Sequence, residues 1–180
     1  MKIVAIVGSL RRNSYNLKIV KTIQERYPDQ LTVELADIGA LPLFNQDDEN
    51  DPSAALIALR KQITEADGVL IATPEYNWSV PGVLKNALDW LSRGEKVLMN
   101  KPVLIAGAVT GMLGTIRAQL HLRQILASTA ISARLLPPAG NEILINKADE
   151  KFDDSGLVDQ PTLMLLDGVI QRFIDLFQRG

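Results

Sequence analysis

Three stretches of this 180-residue chain hold most of the residues whose types and spacing could do chemistry. Residues 8–16 read GSLRRNSYN and lead into a helical pattern. Small hydroxyl and amide side chains just ahead of a helix, where backbone N–H groups lack intrahelical partners, can hold a phosphate without a Walker lysine. Ser9, Ser14 and Asn16 are the candidate donors, and Arg11 can add charge-assisted bonds. The same residues also read as a plain helix start, with Ser14 as N-cap and Arg11 and Arg12 solvated. The stretch is neither GxxxxGK(S/T) nor GxGxxG, which disfavours a nucleoside triphosphate and a Rossmann dinucleotide site. Without those glycines, Asp37 is a weak stand-in for a ribose-binding acid.

The second stretch, residues 73–82 (TPEYNWSVPG), follows a buried apolar run. Its aromatic side chains offer flat faces to a planar ring, and Asn77 with the local backbone can hydrogen-bond ring heteroatoms. Pro74 and Pro81 stiffen it. A capped turn with Tyr76 and Trp78 packed on a neighbour is the plainer alternative. In the third stretch, residues 108–119 (AVTGMLGTIRAQ), Gly111 and Gly114 permit close approach of backbone to a ligand, or simply form turns, and Thr110 and Thr115 supply hydroxyls. Arg117 and His121 share a helix face, where a lone histidine reads as structural.

The elements needed to bring these stretches together are visible in the apolar pattern. Continuous apolar runs at 2–7, 31–36, 68–73 and 103–109 predict buried strands, with a fifth near 131–135. Between them helical spacing relates Leu17, Val20, Ile23 and Tyr27, then Leu56, Leu59 and Ile63 after an Asp51 N-cap and Pro52, then Leu84, Ala87, Leu88 and Leu91, then Ile116, Leu120 and Leu126. Leu163, Leu166, Ile170, Phe173 and Phe177 mark a last helix, and residues 47–51 and 146–160 read as solvated loops. Strands alternating with amphipathic helices predict an α/β fold, a flavodoxin-like doubly wound five-stranded parallel sheet of order 2-1-3-4-5 with helices on both faces, as a single domain over residues 1–180. In that order strands 1, 3 and 4 are neighbours, and ligands bind outside their carboxyl ends.

Composition narrows the chemistry. The 19 basic and 21 acidic residues, with a pI near 5.4, predict no nucleic-acid partner. No cysteine and one histidine exclude disulfides, thiolate chemistry, iron–sulfur clusters and Cys- or His-rich metal sites, so redox work requires a bound cofactor. The amino-terminal apolar run is too short for a secretory signal, and the longest run, residues 102–109, is too short for a membrane span, which predicts a cytoplasmic protein. The third helix is apolar beyond one stripe, making Trp90 and Trp78 candidates for a subunit contact, or else internal residues.

GSLRRNSYN, residues 41–49 (LPLFNQDDE), residues 117–126 (RAQLHLRQIL) and above all residues 74–93 (PEYNWSVPGVLKNALDWLSR) resemble the NAD(P)H-dependent FMN reductases, in particular their bacterial quinone and chromate reductase branch. The resemblance implies a flavodoxin-like homodimer or homotetramer with non-covalent FMN and with NADPH or NADH as co-substrate. Ser9, Arg11, Ser14, Asn16 and Leu17 would surround the FMN phosphate and ribityl chain. Pro74, Glu75, Tyr76 and Asn77 would line the isoalloxazine edge, with Thr110 and Gly111 approaching from the third loop. Hydride would pass from nicotinamide to flavin N5, and electrons then to a second substrate such as a quinone, chromate or another small oxidant, with no catalytic side chain and no metal. By their place around the predicted site, and not by the resemblance, Arg11, Arg12 and Arg117 are candidate contacts for an anionic acceptor or for the 2′-phosphate of NADPH. The family pattern has a second glycine where this chain has Thr115. A flavodoxin-type electron carrier is the alternative, disfavoured because such carriers present a strongly acidic face. A relative that has lost its flavin would show a damaged first or second stretch, and neither is damaged.

Overall fold

The computed structural model describes residues 1–178. β1 (Lys2–Val7) is buried on both faces after its first residue, which explains its unbroken apolar run. It pairs in parallel with β2 (Thr32–Leu35) and β3 (Gly68–Ala72), and β3 pairs with β4 (Pro102–Ala108). The strand order is the expected 2-1-3-4-5.

The fifth position differs from the single strand expected near residues 131–135. β5 (Arg134–Leu135) pairs with Pro102 and Val103, and β6 (Ile143–Ile145) pairs further along β4 with residues Ala106 to Ala108. Pro137 and Pro138, which cannot donate to a ladder, end β5 and send the chain outward. Asn141 and Gly140 in that detour accept from Arg172 before the chain returns as β6.

Two layers of helix cover the sheet. α1 (Tyr15–Arg26) and α6 (Gln160–Gln178) bury their apolar stripes against Ile3, Ala5, Leu70 and Leu104. α2 (Ala54–Glu65), α3 (Gly82–Leu91) and α4 (Ile116–Leu126) cover Val4, Ile6, Ile71 and Ile105 on the opposite face. Ser14 caps α1 as read from sequence. Asp51 does not cap α2; Ser53 does, accepting from Leu56 N–H at 3.2 Å, because Asp51 belongs to the turn following the short 3₁₀ segment Gln46–Asp48. On α4 the expected Leu120 is 48% exposed, and Leu122 takes its place in the core. Trp90 is internal rather than a subunit contact: it is 1% exposed and donates through Nε1 to Pro42 O. Asn86 bonds the same segment, donating to Pro42 O and accepting from Phe44 N–H, so residues 42–44 are docked on α3.

Residues 146–160 are not a plain solvated loop. They form α5 (Ala148–Lys151) and a hairpin of β7 (Phe152–Asp153) and β8 (Gly156–Leu157), with Phe152 and Leu157 buried in the core. The hairpin is anchored on α1, where Leu157 N–H donates to Thr22 Oγ1 at 3.0 Å and Lys18 Nζ donates to Asp153 O. Among the described residues no helix is long and apolar enough to cross a membrane.

Candidate active site

The loops following β1, β3 and β4 meet at the carboxyl ends of those strands around a cavity of about 260 Å³. Close approach of the first two requires Gly8, since a Cβ there would lie 2.8 Å from Thr73 Oγ1. From the first loop Ser9, Arg11, Ser14 and Asn16 line the cavity, joined by Tyr15, whose place in GSLRRNSYN carries no sequence signal of its own. Ser9 Oγ is 3.5 Å from Tyr76 Oη, linking the first loop to the second. Ser14 Oγ accepts only the N–H of Asn16, so the other donors of α1's first turn remain for an anion. Leu17 lines a neighbouring groove instead.

Asn16 is placed at the cavity, but its carboxamide is already occupied. Nδ2 donates to Ala108 O at 3.0 Å and Oδ1 accepts from Ala108 N–H at 2.9 Å, all buried. Its polar atoms therefore fix the first loop to the third.

Pro74, Glu75 and Tyr76 contribute the second wall. Tyr76 and Ser79 exchange backbone hydrogen bonds of 3.1 and 3.0 Å around Asn77 and Trp78, whose φ values are +49° and +65°. Two left-handed residues in succession make a type I′ turn, ordinary for Asn and strained for Trp. The turn projects Trp78, 69% exposed, with the Arg117 guanidinium 3.9 Å from its ring centroid. Asn77 lies on this turn outside the cavity lining.

Glu75 faces the cavity yet its carboxylate is turned to α4. Oε2 accepts from the N–H groups of Arg117 and Ala118 at 2.9 and 3.2 Å, and Oε1 lies 3.4 Å from Arg117 Nη1. The residue preceding α4, Thr115, makes no capping bond, so a carboxylate from another loop satisfies the helix end and favours its dipole. His121 Nδ1 lies 3.0 Å from Ser79 Oγ, tying α4 to the second loop. Arg117 is thus paired with Glu75 and stacked on Trp78.

The third loop supplies Thr110 together with Ala108 and Val109. Gly111 lies beyond the lining, with open space where its side chain would be. Thr115 points inward: it is fully buried, accepts from Gln119 Nε2 at 2.9 Å, and packs against Gly107, where a Cβ would lie 2.1 Å from Thr115 Oγ1. Its departure from the family's second glycine is accommodated in the core. No cluster of metal-ligating side chains occurs among the described residues.

The NADPH-dependent FMN reductase family model matches residues 1–149. An NADH:(hydroxy)cinnamate reductase subunit from Vibrio ruber is 42% identical over 175 residues, covering 97% of this chain and 86% of its own. A 2-hydroxy-1,4-benzoquinone reductase from a Burkholderia species is 41% identical over 180 residues, covering 98% and 94%. The solved structure of FerB from Paracoccus denitrificans, a flavoenzyme NAD(P)H:(acceptor) oxidoreductase, superposes with a TM-score of 0.88 at 31% identity, covering 99% of this chain and 97% of that one. Switch-point cavity, phosphate-suited first loop and whole-length similarity agree, and the chain belongs to the NADPH-dependent FMN reductase family.

Proposed function

We propose that the three-loop cavity holds FMN non-covalently and that the protein uses NADPH or NADH to reduce quinones and related small oxidants. The observation that carries this reading is the convergence of Ser9, Arg11 and Ser14 with Pro74, Tyr76 and Thr110 on one cavity at the switch point of the sheet. The donor set fits the group: hydroxyls, a guanidinium and first-turn N–H groups at one end, and a proline, a tyrosine and backbone at the other. Bound there, FMN supplies the hydride and electron chemistry, which no side chain of this protein needs to perform.

The chain's own residues hold and orient. Ser9, Arg11, Ser14 and the start of α1 take the phosphate end. Pro74, Tyr76 and Thr110 flank the ring, with Asn77 and Gly111 one residue beyond the lining. Asn16 and Glu75 act through Ala108 and α4. Planar conjugated acceptors suit the exposed aromatic faces of Tyr76 and Trp78, in keeping with the benzoquinone and hydroxycinnamate named for the two relatives. Chromate and similar small oxidants are further acceptors in this reading. Leu10, Tyr76, Trp78, Met112 and Leu113, all exposed and all on the three loops, form the rim through which a homodimer or homotetramer assembles in the cytoplasm.

An absorbance spectrum from about 300 to 600 nm, before and after anaerobic NADPH, tests the reading. Two visible flavin bands that bleach are expected. Bands that bleach with dithionite but not with NADPH or NADH would make the protein a carrier, and no binding of added FMN would overturn the site.

A further inference from the structure

A second and larger cavity, of about 560 Å³, opens beside the first and shares Arg11, Ser14 and Tyr15 with it. It shares none of Pro74, Tyr76 and Thr110, so the two cavities join at the phosphate end of the flavin site and not at the ring. One wall is a stripe of α1 at helical spacing, Ser14, Lys18, Lys21 and Glu25, and the other is the tip of the β7–β8 hairpin at residues 154–156. The hairpin is held on α1 by the bonds from Leu157 N–H to Thr22 and from Lys18 to Asp153 O, so the groove is formed in advance of any ligand. Arg11, Arg12, Lys18 and Lys21 line it together with Glu25 and Asp154. Among the described residues, Arg11, Arg12, Lys21, Glu25 and Asp154 take part in no ion pair. The cations concentrate anions, and the two carboxylates require a ligand that also carries N–H or O–H donors.

We propose that this groove binds the adenylate half of FAD, so that the protein takes FAD as well as FMN. The inference rests on the flavin reading of the first cavity. FAD is FMN with AMP joined to its phosphate, and its second half must therefore leave the flavin cavity at the phosphate, which is where the groove begins. Arg11 and Ser14 then stand at the pyrophosphate, and Arg12, which lines the groove but not the first cavity, meets the second phosphate with charge-assisted bonds. From Ser14 to Glu25 the wall of α1 runs about 16 Å, room for a ribose and a purine beyond the pyrophosphate. Adenine carries an amino donor and ring-nitrogen acceptors, and ribose carries hydroxyls. Glu25 and Asp154 can accept from the amino group and the hydroxyls, and Lys21 can donate to a ring nitrogen. FMN ends at the residues the two cavities share and leaves the stripe from Lys18 to Glu25 without a ligand.

Equilibrium dialysis of the full chain freed of flavin, against FMN and against FAD, tests the groove in the wild type and in an Arg12→Ala/Lys21→Ala double variant. The wild type is expected to bind FAD with a Kd within about tenfold of that for FMN. In the variant the Kd for FAD should rise at least about tenfold while that for FMN stays within about twofold, a split that damage to the shared loop would not produce. An Arg12→Lys/Lys21→Arg variant should recover most of the loss. A wild type that binds FMN but takes FAD more than about tenfold more weakly, equal rises for both flavins in the double variant, or no rise for either would each overturn the assignment. An unmoved FAD affinity with a higher KM for NADPH in the FMN-loaded variant would give the groove to a different adenylate and overturn it too. A wild type that binds neither flavin would overturn the flavin reading of the first cavity instead.

Discussion

The side chain of Asn16 and the backbone of Ala108 are bonded to each other twice, at 3.0 and 2.9 Å, across 92 residues of sequence. An amide offers a donor and an acceptor side by side, as a peptide group does, so the start of α1 pairs with the end of β4 as a neighbouring strand would. The first and third loops are therefore set by one buried residue rather than by their own turns.

Asn16→Asp should lower stability by about 2–4 kcal/mol at neutral pH, because a buried carboxylate would then face the Ala108 carbonyl with no donor between them. The loss should shrink as the solution is acidified and the new carboxyl regains a proton. Urea unfolding at pH 7 and pH 5 checks both statements, and equal losses at the two values would contradict the paired geometry.

Removing Glu75 should loosen the site without unfolding the protein. Glu75→Ala leaves the first turn of α4 uncapped and releases Arg117, costing about 1–2 kcal/mol. FMN affinity should fall about tenfold as the second loop loses its brace. Glu75→Gln keeps an acceptor for the two N–H groups and should lose less on both counts. Fluorescence titration with FMN, alongside denaturant unfolding, separates the two effects.

Arg26, Tyr27 and Asp167 form a cluster joining α1 to α6, with two Arg26 bonds of 2.7 Å to the Asp167 carboxylate and a Tyr27 Oη bond of 2.5 Å. The Arg26 bonds hold the Asp167 pKa below its usual value, so this contribution is present above the unfolded carboxyl pKa and is lost as pH falls through the folded one. Burial, and then the bond to Asp167, raises the Tyr27 pKa. That contribution is complete below about pH 10 and is lost as pH rises through the folded value. Asp167→Asn should therefore flatten the stability profile at the acid end and leave most of the alkaline fall, because burial, the larger cause of the Tyr27 shift, remains. Thermal melts from pH 3 to pH 11 show whether the acid end responds alone.

Gly107 and Thr115 constrain each other. Gly107→Ala would drive a Cβ to 2.1 Å from Thr115 Oγ1 and 2.5 Å from the Thr73 carbonyl, so this substitution should destabilise by about 3 kcal/mol or more. Thr115→Gly should relieve only the first clash, and alone should cost about 2–3 kcal/mol through the lost methyl, the void and one Gln119 N–H left without its partner, the bond to Ile143 O remaining. Because the backbone carbonyl of Thr73 stays, the double variant should remain less stable than Thr115→Gly alone.

Legibility in the sequence followed the kind of interaction involved. β1, β3, β4 and α6 are written in their apolar patterns because both faces of the sheet, or one face of the helix, are buried. Leu120 was misread because Gln119 is fully buried, with its amide spent on Thr115 and Ile143, so the stripe facing the core includes a polar residue. β6 and the β7–β8 hairpin are too short for any period and take their form from docking on β4 and Thr22. Of the residues lining the candidate cavity, Ser9, Arg11, Ser14, Pro74, Tyr76 and Thr110 are legible because they sit in motifs at strand ends. The bracing roles of Asn16 and Glu75 are not, since their partners lie 92 and about 42 residues away.

The anchoring of Leu157 on Thr22 also bears on the order in which the protein can be completed. Thr22 emerges from the ribosome 135 residues before its partner, and α6, which covers much of the same sheet face, comes later still. A nascent chain ending near β6 has one helical layer substantially in place over α2, α3 and α4, while on the opposite side α1 stands beside bare apolar strands. Biosynthesis therefore closes the molecule on the side that carries α1, the hairpin and α6, and a chain truncated before the hairpin leaves that side open to aggregation.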